Sequence, residues 1–311
     1  MARKKIALIG GGQIGQIQAL LIAQKELGDV VILDIPDLEN PMKGKAIDIG
    51  AMRPTSNFDC TITGTSDYKD IAGSDVVIVT AGLPRKPGMT RDDLLDTNIK
   101  IITKAAQGVK ANAPKAFSII LTNPLDAMVY CYHKATGFPK NQVCGMAGVL
   151  DTNRWRAFIA DELNVSVEDV AGLVMGGHGP TMVPLPRLTT VGGVPLMEIM
   201  DAETIDRIDK RTREAGTEIV KLYGSGSAFF SPAAAGVAMA EAYLKDKKRV
   251  FTCAALCQGE YGVDNLFIGV PIRIGAGGVE KIYEFKLNAN EKEQLGKTID
   301  AVKKTVAECK I

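Results

Sequence analysis

Lys5-Ile6-Ala7-Leu8-Ile9 runs directly into Gly10-Gly11-Gly12-Gln13-Ile14-Gly15, and the reading of this stretch decides the fold. The short apolar run, closed by glycine, suits a strand covered on both faces. The glycines then open a helical pattern, which is the strand–loop–helix order of a dinucleotide-binding unit. In that unit Gly10 permits the tight turn, Gly12 lets backbone amides approach a pyrophosphate, and Gly15 lets helix and strand pack closely. Gly11, Gln13 and Ile14 complete the loop. The motif alone is a weak signal, because a glycine-rich turn needs no ligand. Asp34 strengthens it. It ends the next strand 19 residues after Gly15, where a carboxylate accepts hydrogen bonds from an adenosine ribose. Its charge repels a 2′-phosphate, and Ile35-Pro36 bring no cation. The cofactor expected is therefore NAD, not NADP.

Outward from this loop, Val30 to Leu33, Asp75 to Thr80 and Phe117 to Thr122 read as further strands of a parallel sheet. Helical patterns separate them. Leu95, Ile99, Ile102, Ala106 and Val109 recur at spacings of four, three, four and three, one apolar stripe on a helix that Asp92 and Asp93 start favourably. Strand and helix in alternation predict an α/β fold, a Rossmann-type doubly wound parallel sheet. After about residue 148 the pattern changes to longer helices (about 203 to 222 and 229 to 245) and hairpin-like segments such as Leu266 to Ile274. The expectation is an NAD-binding domain over 1–148 and an α+β substrate/catalytic domain over 149–311, packed tightly because no linker composition separates them.

The bulk numbers exclude several classes. A chain of 311 residues with 46% hydrophobic and 23% charged residues has the balance of a globular enzyme. A net charge of +1 gives no field to gather nucleic acid or an anionic membrane, so neither is expected as a partner. No apolar run has the length of a signal peptide core or a membrane span, which predicts a cytoplasmic location. The six cysteines are scattered; Cys253 and Cys257 lack a second pair or a nearby histidine, so thiols are expected and a metal is not.

Cations and small residues cluster next. Ala81-Gly82-Leu83-Pro84-Arg85-Lys86-Pro87-Gly88-Met89-Thr90-Arg91 follows a strand, at the sheet edge where α/β folds place ligands. Then come Leu121-Thr122-Asn123-Pro124-Leu125-Asp126, Gly148-Val149-Leu150-Asp151-Thr152-Asn153-Arg154 and Met175-Gly176-Gly177-His178-Gly179. In kind, order and spacing these segments resemble the lactate/malate dehydrogenase superfamily, in its lactate-dehydrogenase-like malate dehydrogenase branch. The similarity runs the length of the chain.

The resemblance implies reversible oxidation of a 2-hydroxy acid with NAD. A histidine suits such chemistry because its proton affinity lies near neutrality and serves both directions. Of the two histidines, His133 falls in a helical stretch and reads as a packed or surface residue, whereas His178 lies between glycines that admit a ligand. By resemblance His178 is the acid/base and Asp151 fixes its tautomer. Arg154, on the same helical face as Asp151, would pair with the substrate's 1-carboxylate. Arg91 would polarise the reacting carbonyl, Asn123 would donate to the substrate oxygen, and Asn98 with the Leu121–Asn123 backbone would contact NAD.

Arg85 separates the substrates. At its position the superfamily usually carries Arg for malate and an uncharged residue for lactate, and oxaloacetate's second carboxylate buried unpaired would cost several kcal/mol. The activity expected is malate oxidation; the rival is a lactate dehydrogenase or broader 2-keto acid reductase, and a third reading is a non-catalytic NAD-binding module. A homo-oligomer, tetramer before dimer, is also implied, as is a cis Asn123-Pro124 peptide. The segment from Gly82 to Arg91 is expected to act as a lid. Two departures stand out: Pro180 where relatives carry Asp, and Gln16-Ile17-Gln18 where they have smaller residues.

Overall fold

The computed structural model describes residues 3–83 and 91–309, without the side chains of Arg91 and Asp92. Its first half runs β1 (Lys5–Ile9), α1 (Gln13–Gln24), β2 (Asp29–Leu33), α2 (Glu39–Ala51), α3 (Arg53–Ser56), β3 (Ile62–Thr65), β4 (Val76–Val79), α4 (Arg91–Asn112), β5 (Phe117–Ile120), α5 (Leu125–Thr136) and β6 (Val143–Gly145). The six strands pair in parallel in the order β3-β2-β1-β4-β5-β6. This is the doubly wound arrangement, with the order reversing between β1 and β4. The strands are apolar because both faces are covered: Ile6, Ala7 and Leu8 are fully buried, as are all four residues of β4. On α4 the predicted stripe faces inward, with Leu95, Ile102, Ala106 and Val109 buried and Ile99 packed against the core.

The second half runs α6 (Gly148–Leu163), β7 (Val170–Ala171), β8 (Val174–Met175), β9 (Val183–Pro184), β10 (Thr190–Val191), β11 (Val194–Pro195), α7 (Leu196–Ile199), α8 (Ala202–Tyr223), α9 (Phe230–Leu244), β12 (Arg249–Gln258), β13 (Asp264–Gly275), β14 (Gly278–Ile282) and α10 (Ala289–Ala307). Strands β12, β13 and β14 form an antiparallel meander that extends the first sheet, joined to β6 where Ala254 faces Gly145. One nine-stranded sheet thus crosses from the first half into the second. A separate apolar cluster around Trp155, Ile159, Val174, Leu196, Ile205 and Ile208 lies under the small strands of the second half. Among the described residues no helix is long and apolar enough to cross a membrane.

Two features aim this scaffold at one cleft. The turns after β1, β2, β4 and β5 all lie at the carboxyl edge of the parallel strands, where open α/β sheets bind ligands. The loop after β8 is fixed to the extended sheet by paired backbone hydrogen bonds between Gly176 and Gly269, at 2.8 and 3.0 Å. A Cβ at Gly269 would stand 2.3 Å from the Gly176 carbonyl oxygen, so this approach requires glycine.

Candidate active site

The glycine loop has the shape its sequence predicts. Gly10 adopts φ 105°, and a Cβ there would lie 2.6 Å from the Ala81 nitrogen. At Gly15 a Cβ would lie 2.1 Å from the Gly10 oxygen, so helix and loop touch backbone to backbone. Around Gly12 nothing lies within 4 Å of such a Cβ, and no side chain caps α1. Open space therefore faces uncapped helix amides, a fit for a pyrophosphate. Asp34 accepts from the Gly11 N–H at 2.8 Å and from the Ile35 N–H at 2.8 Å, which tethers its carboxylate beside the loop. Thr80 Oγ1 donates to the Gly10 carbonyl at 2.9 Å and steadies the turn.

Across the sheet, Thr122 is buried and donates to the Ala81 carbonyl at 2.8 Å, while Asn123 is exposed. The Asn123-Pro124 peptide is cis, as expected. Asn98 is almost wholly buried and spends its amide on backbone groups: Oδ1 accepts from the Leu83 N–H at 2.8 Å, and Nδ2 donates to the Leu83 and Asn123 carbonyls at 3.2 and 2.7 Å. It ties the segment after β4 to the segment after β5. Leu121 is buried at the end of β5.

His178 and Asp151 meet. Nδ1 of His178 lies 2.9 Å from Asp151 Oδ2, and the Asp151 side chain is 2% exposed. An ionised carboxylate only accepts, so Nδ1 carries the proton and Nε2 is left for substrate. The imidazole is itself mostly buried. Burial is the largest single influence and pushes its proton affinity down. The charge and hydrogen bond of Asp151, then the charge of Asp126, push it up, Arg154 opposes them, and the net shift is upward. Below the ring, Thr298 of α10 accepts from the Gly177 N–H at 2.9 Å, which locks the loop to the last helix.

Arg154 shares the face of α6 with Asp151, its Nη1 3.8 Å from Asp151 Oδ1. It is largely buried, yet its Nε has no hydrogen-bond partner. Burial pushes its proton affinity down, with Asp151 opposing. A buried guanidinium fork short of acceptors suits a planar carboxylate. It borders a cavity of about 370 Å³ between α6, α8 and α9, lined also by Asn153, Phe158, Arg211, Glu218 and Ser231. Arg85 lies outside the described residues, as does the stretch from Pro84 to Thr90, which is most of the segment from Gly82 to Arg91 expected to act as a lid. Arg91 begins α4, but its side chain is not described.

Three contacts escaped the sequence reading. Lys45 Nζ donates to the Gly11 carbonyl at 2.5 Å, Thr298 supports Gly177, and Asp126 Oδ2 accepts from the His178 N–H at 2.9 Å. Asp126 stood in a motif already singled out, and its charge next to an apolar helix start was a signal. Nothing marked the other two. Among the described residues no group of three or more His, Cys, Asp or Glu side chains is arranged to hold a metal ion.

Comparison with known proteins gives a consistent result. The profile for the lactate/malate dehydrogenase NAD binding domain matches residues 4–145, and that for the family's alpha/beta C-terminal domain matches residues 148–310. The chain is 56% identical over 309 residues to a malate dehydrogenase of Myxococcus xanthus, covering 99% of this chain and 98% of that one. Among solved structures, a malate dehydrogenase of Cryptosporidium parvum superposes with a TM-score of 0.95 at 45% identity, with 98% of each chain covered. A lactate dehydrogenase of the same organism, complexed with lactic acid and nicotinamide adenine dinucleotide, also gives 0.95, at 46% identity, covering 99% of this chain and 98% of that one.

Proposed function

The chain belongs to the lactate/malate dehydrogenase family, and from that membership and the cleft we propose that it interconverts (S)-malate and oxaloacetate with NAD. The observation that carries the chemistry is the His178–Asp151 pair at 2.9 Å beside the under-bonded guanidinium of Arg154. The full-length relatives named malate dehydrogenase favour the four-carbon substrate.

Bound NAD supplies the hydride acceptor for malate oxidation. The chain supplies the rest. The uncapped amides of α1 at Gly12, Gln13 and Ile14 hold the pyrophosphate, and Asp34 receives the ribose hydroxyls. Arg154 pairs in bidentate fashion with the 1-carboxylate and fixes the reacting carbon. Nε2 of His178 takes the hydroxyl proton in oxidation and returns it in reduction, while Asp151 holds the ring and stabilises the imidazolium. Asn123 donates to the substrate oxygen, and Asn98 keeps the Asn123 segment in register with Leu83. Arg91 completes the oxygen's partners. Arg85 takes the distal carboxylate, and the same cation facing pyruvate's methyl group would be left without an acceptor, which penalises the shorter acid.

The competing reading, lactate dehydrogenase or a broader 2-keto acid reductase, draws on a structure as similar as the malate enzymes. Oxidation of NADH in the presence of oxaloacetate or pyruvate separates the two, and no turnover of either would leave the non-catalytic reading. We also place the enzyme in the cytoplasm, as a homo-oligomer, tetramer before dimer. Exposed Leu222, Tyr223 and Phe230 support an association surface. A monomer mass by light scattering at micromolar concentration would overturn the oligomer, and fractionation tests the location.

A further inference from the structure

Asp126, in the first turn of α5, is buried against the backbone of the catalytic loop. Its Oδ2 accepts the His178 N–H at 2.9 Å, while Oδ1 is buried without a hydrogen-bond partner. A neutral amide or hydroxyl would accept that N–H without the desolvation cost of a charge. A first-turn carboxylate also meets the dipole of α5, but an exposed one would do so without burial. The chain therefore keeps a charge where holding the loop does not need one. The residue after Gly179 is Pro180, which brings neither a charge nor an N–H to the turn.

The charges facing this pair come from three helices. Asp151 and Arg154 reach the imidazole from α6, Asp126 from α5, and Lys304 of α10 lines the same cavity of about 280 Å³ as Asp126, His178 and Pro180. Burial pushes the Asp126 carboxyl up to about 6; the His178 N–H bond and imidazolium charge pull it down, and Asp151 raises it.

We propose that Asp126 is a positioning residue for His178: it clamps the backbone of the catalytic loop and supplies, beside Asp151, a second negative charge to the imidazolium. The inference rests on His178 being the acid/base. Its consequence is a ring that holds its proton more firmly in the reductive direction than Asp151 alone would allow.

The chain's two histidines make a direct test practical. Full-length protein labelled with ¹³C in its imidazoles gives two titrations, assigned with His133→Gln. In Asp126→Asn the His178 midpoint should fall by about half a unit or more, as loss of a nearby buried charge requires, with His133 unmoved. The pH profile of kcat/KM for oxaloacetate should move with it, and KM for NADH should not. Asp126→Ser, which removes the charge with a smaller polar side chain, should give the same fall if the asparagine variant does not fold. Asp126→Glu should recover part of it. A folded variant with the His178 midpoint in place overturns the proposal. A midpoint that falls in a protein whose wild type reduces no keto acid would leave the charge coupling intact and sink the acid/base reading instead.

Discussion

His178 and Asp151 are 27 residues apart in sequence, yet Nδ1 and Oδ2 lie 2.9 Å apart, because the β8–β9 turn folds back over the start of α6. The contact decides which ring nitrogen carries the proton. Asp151→Asn offers an amide that can present either donor or acceptor to Nδ1, so the ring loses its fixed tautomer. We expect kcat/KM to fall roughly 10²- to 10⁴-fold in both directions with the fold retained. Steady-state kinetics on folded protein would decide, and a loss under about tenfold would remove Asp151 from its role.

The upward shift of His178 sets the pH dependence. Reduction of oxaloacetate needs the imidazolium, and oxidation of malate needs the neutral ring. The kcat/KM for oxaloacetate should hold below the ordinary histidine value of 6.5 and decline only as pH rises through a higher midpoint. The kcat/KM for malate should climb over the same interval. Two pH profiles check this; a break below the ordinary value would contradict the assigned environment.

Asp34 should set the cofactor preference. Its tethered carboxylate beside Gly11 repels a 2′-phosphate. Asp34→Ser should raise kcat/KM for NADPH relative to NADH by roughly tenfold or more, the worth of about 1.4 kcal/mol of relieved repulsion. An unchanged ratio would mean that another group reads the ribose.

Gln18 is a weak point in the fold. Its side chain is fully buried between α1 and α9, and neither Nε2 nor Oε1 has a partner. Gly236 of α9 lies opposite, where a Cβ would stand 2.8 Å from Nε2, so the helix packs closely against the amide. Gln18→Leu should stabilise the protein by about 1–3 kcal/mol, the cost of leaving such groups unsatisfied. Denaturant unfolding at fixed protein concentration measures it, and a lower midpoint would refute the account of this site.

The elements legible in the sequence were those whose own residues carried the signal. Lys5–Ile9 reads as a strand because it is apolar throughout, and α4 because its stripe repeats with the helical period. The strand β3 carries Gly64 between two threonines, and β6 is three residues long, so neither has a run to read. The joining of β12 to β6 rests on the pairing of Ala254 with Gly145, across more than 100 residues of chain. The site divides the same way. His178 stood out as one of two histidines, set among glycines, whereas the grip of Asp126 on its backbone depends on a loop that returns 52 residues later.

The central claim is that this cleft selects a dicarboxylic keto acid. The most direct measurement is kcat/KM with NADH for oxaloacetate and for pyruvate, on wild type and on Arg85→Gln. We expect oxaloacetate to be preferred by on the order of 10²-fold or more, consistent with several kcal/mol for an unpaired buried charge. The substitution should move the ratio toward pyruvate. A wild type that prefers pyruvate, or a ratio that Arg85→Gln leaves unchanged, would contradict the account.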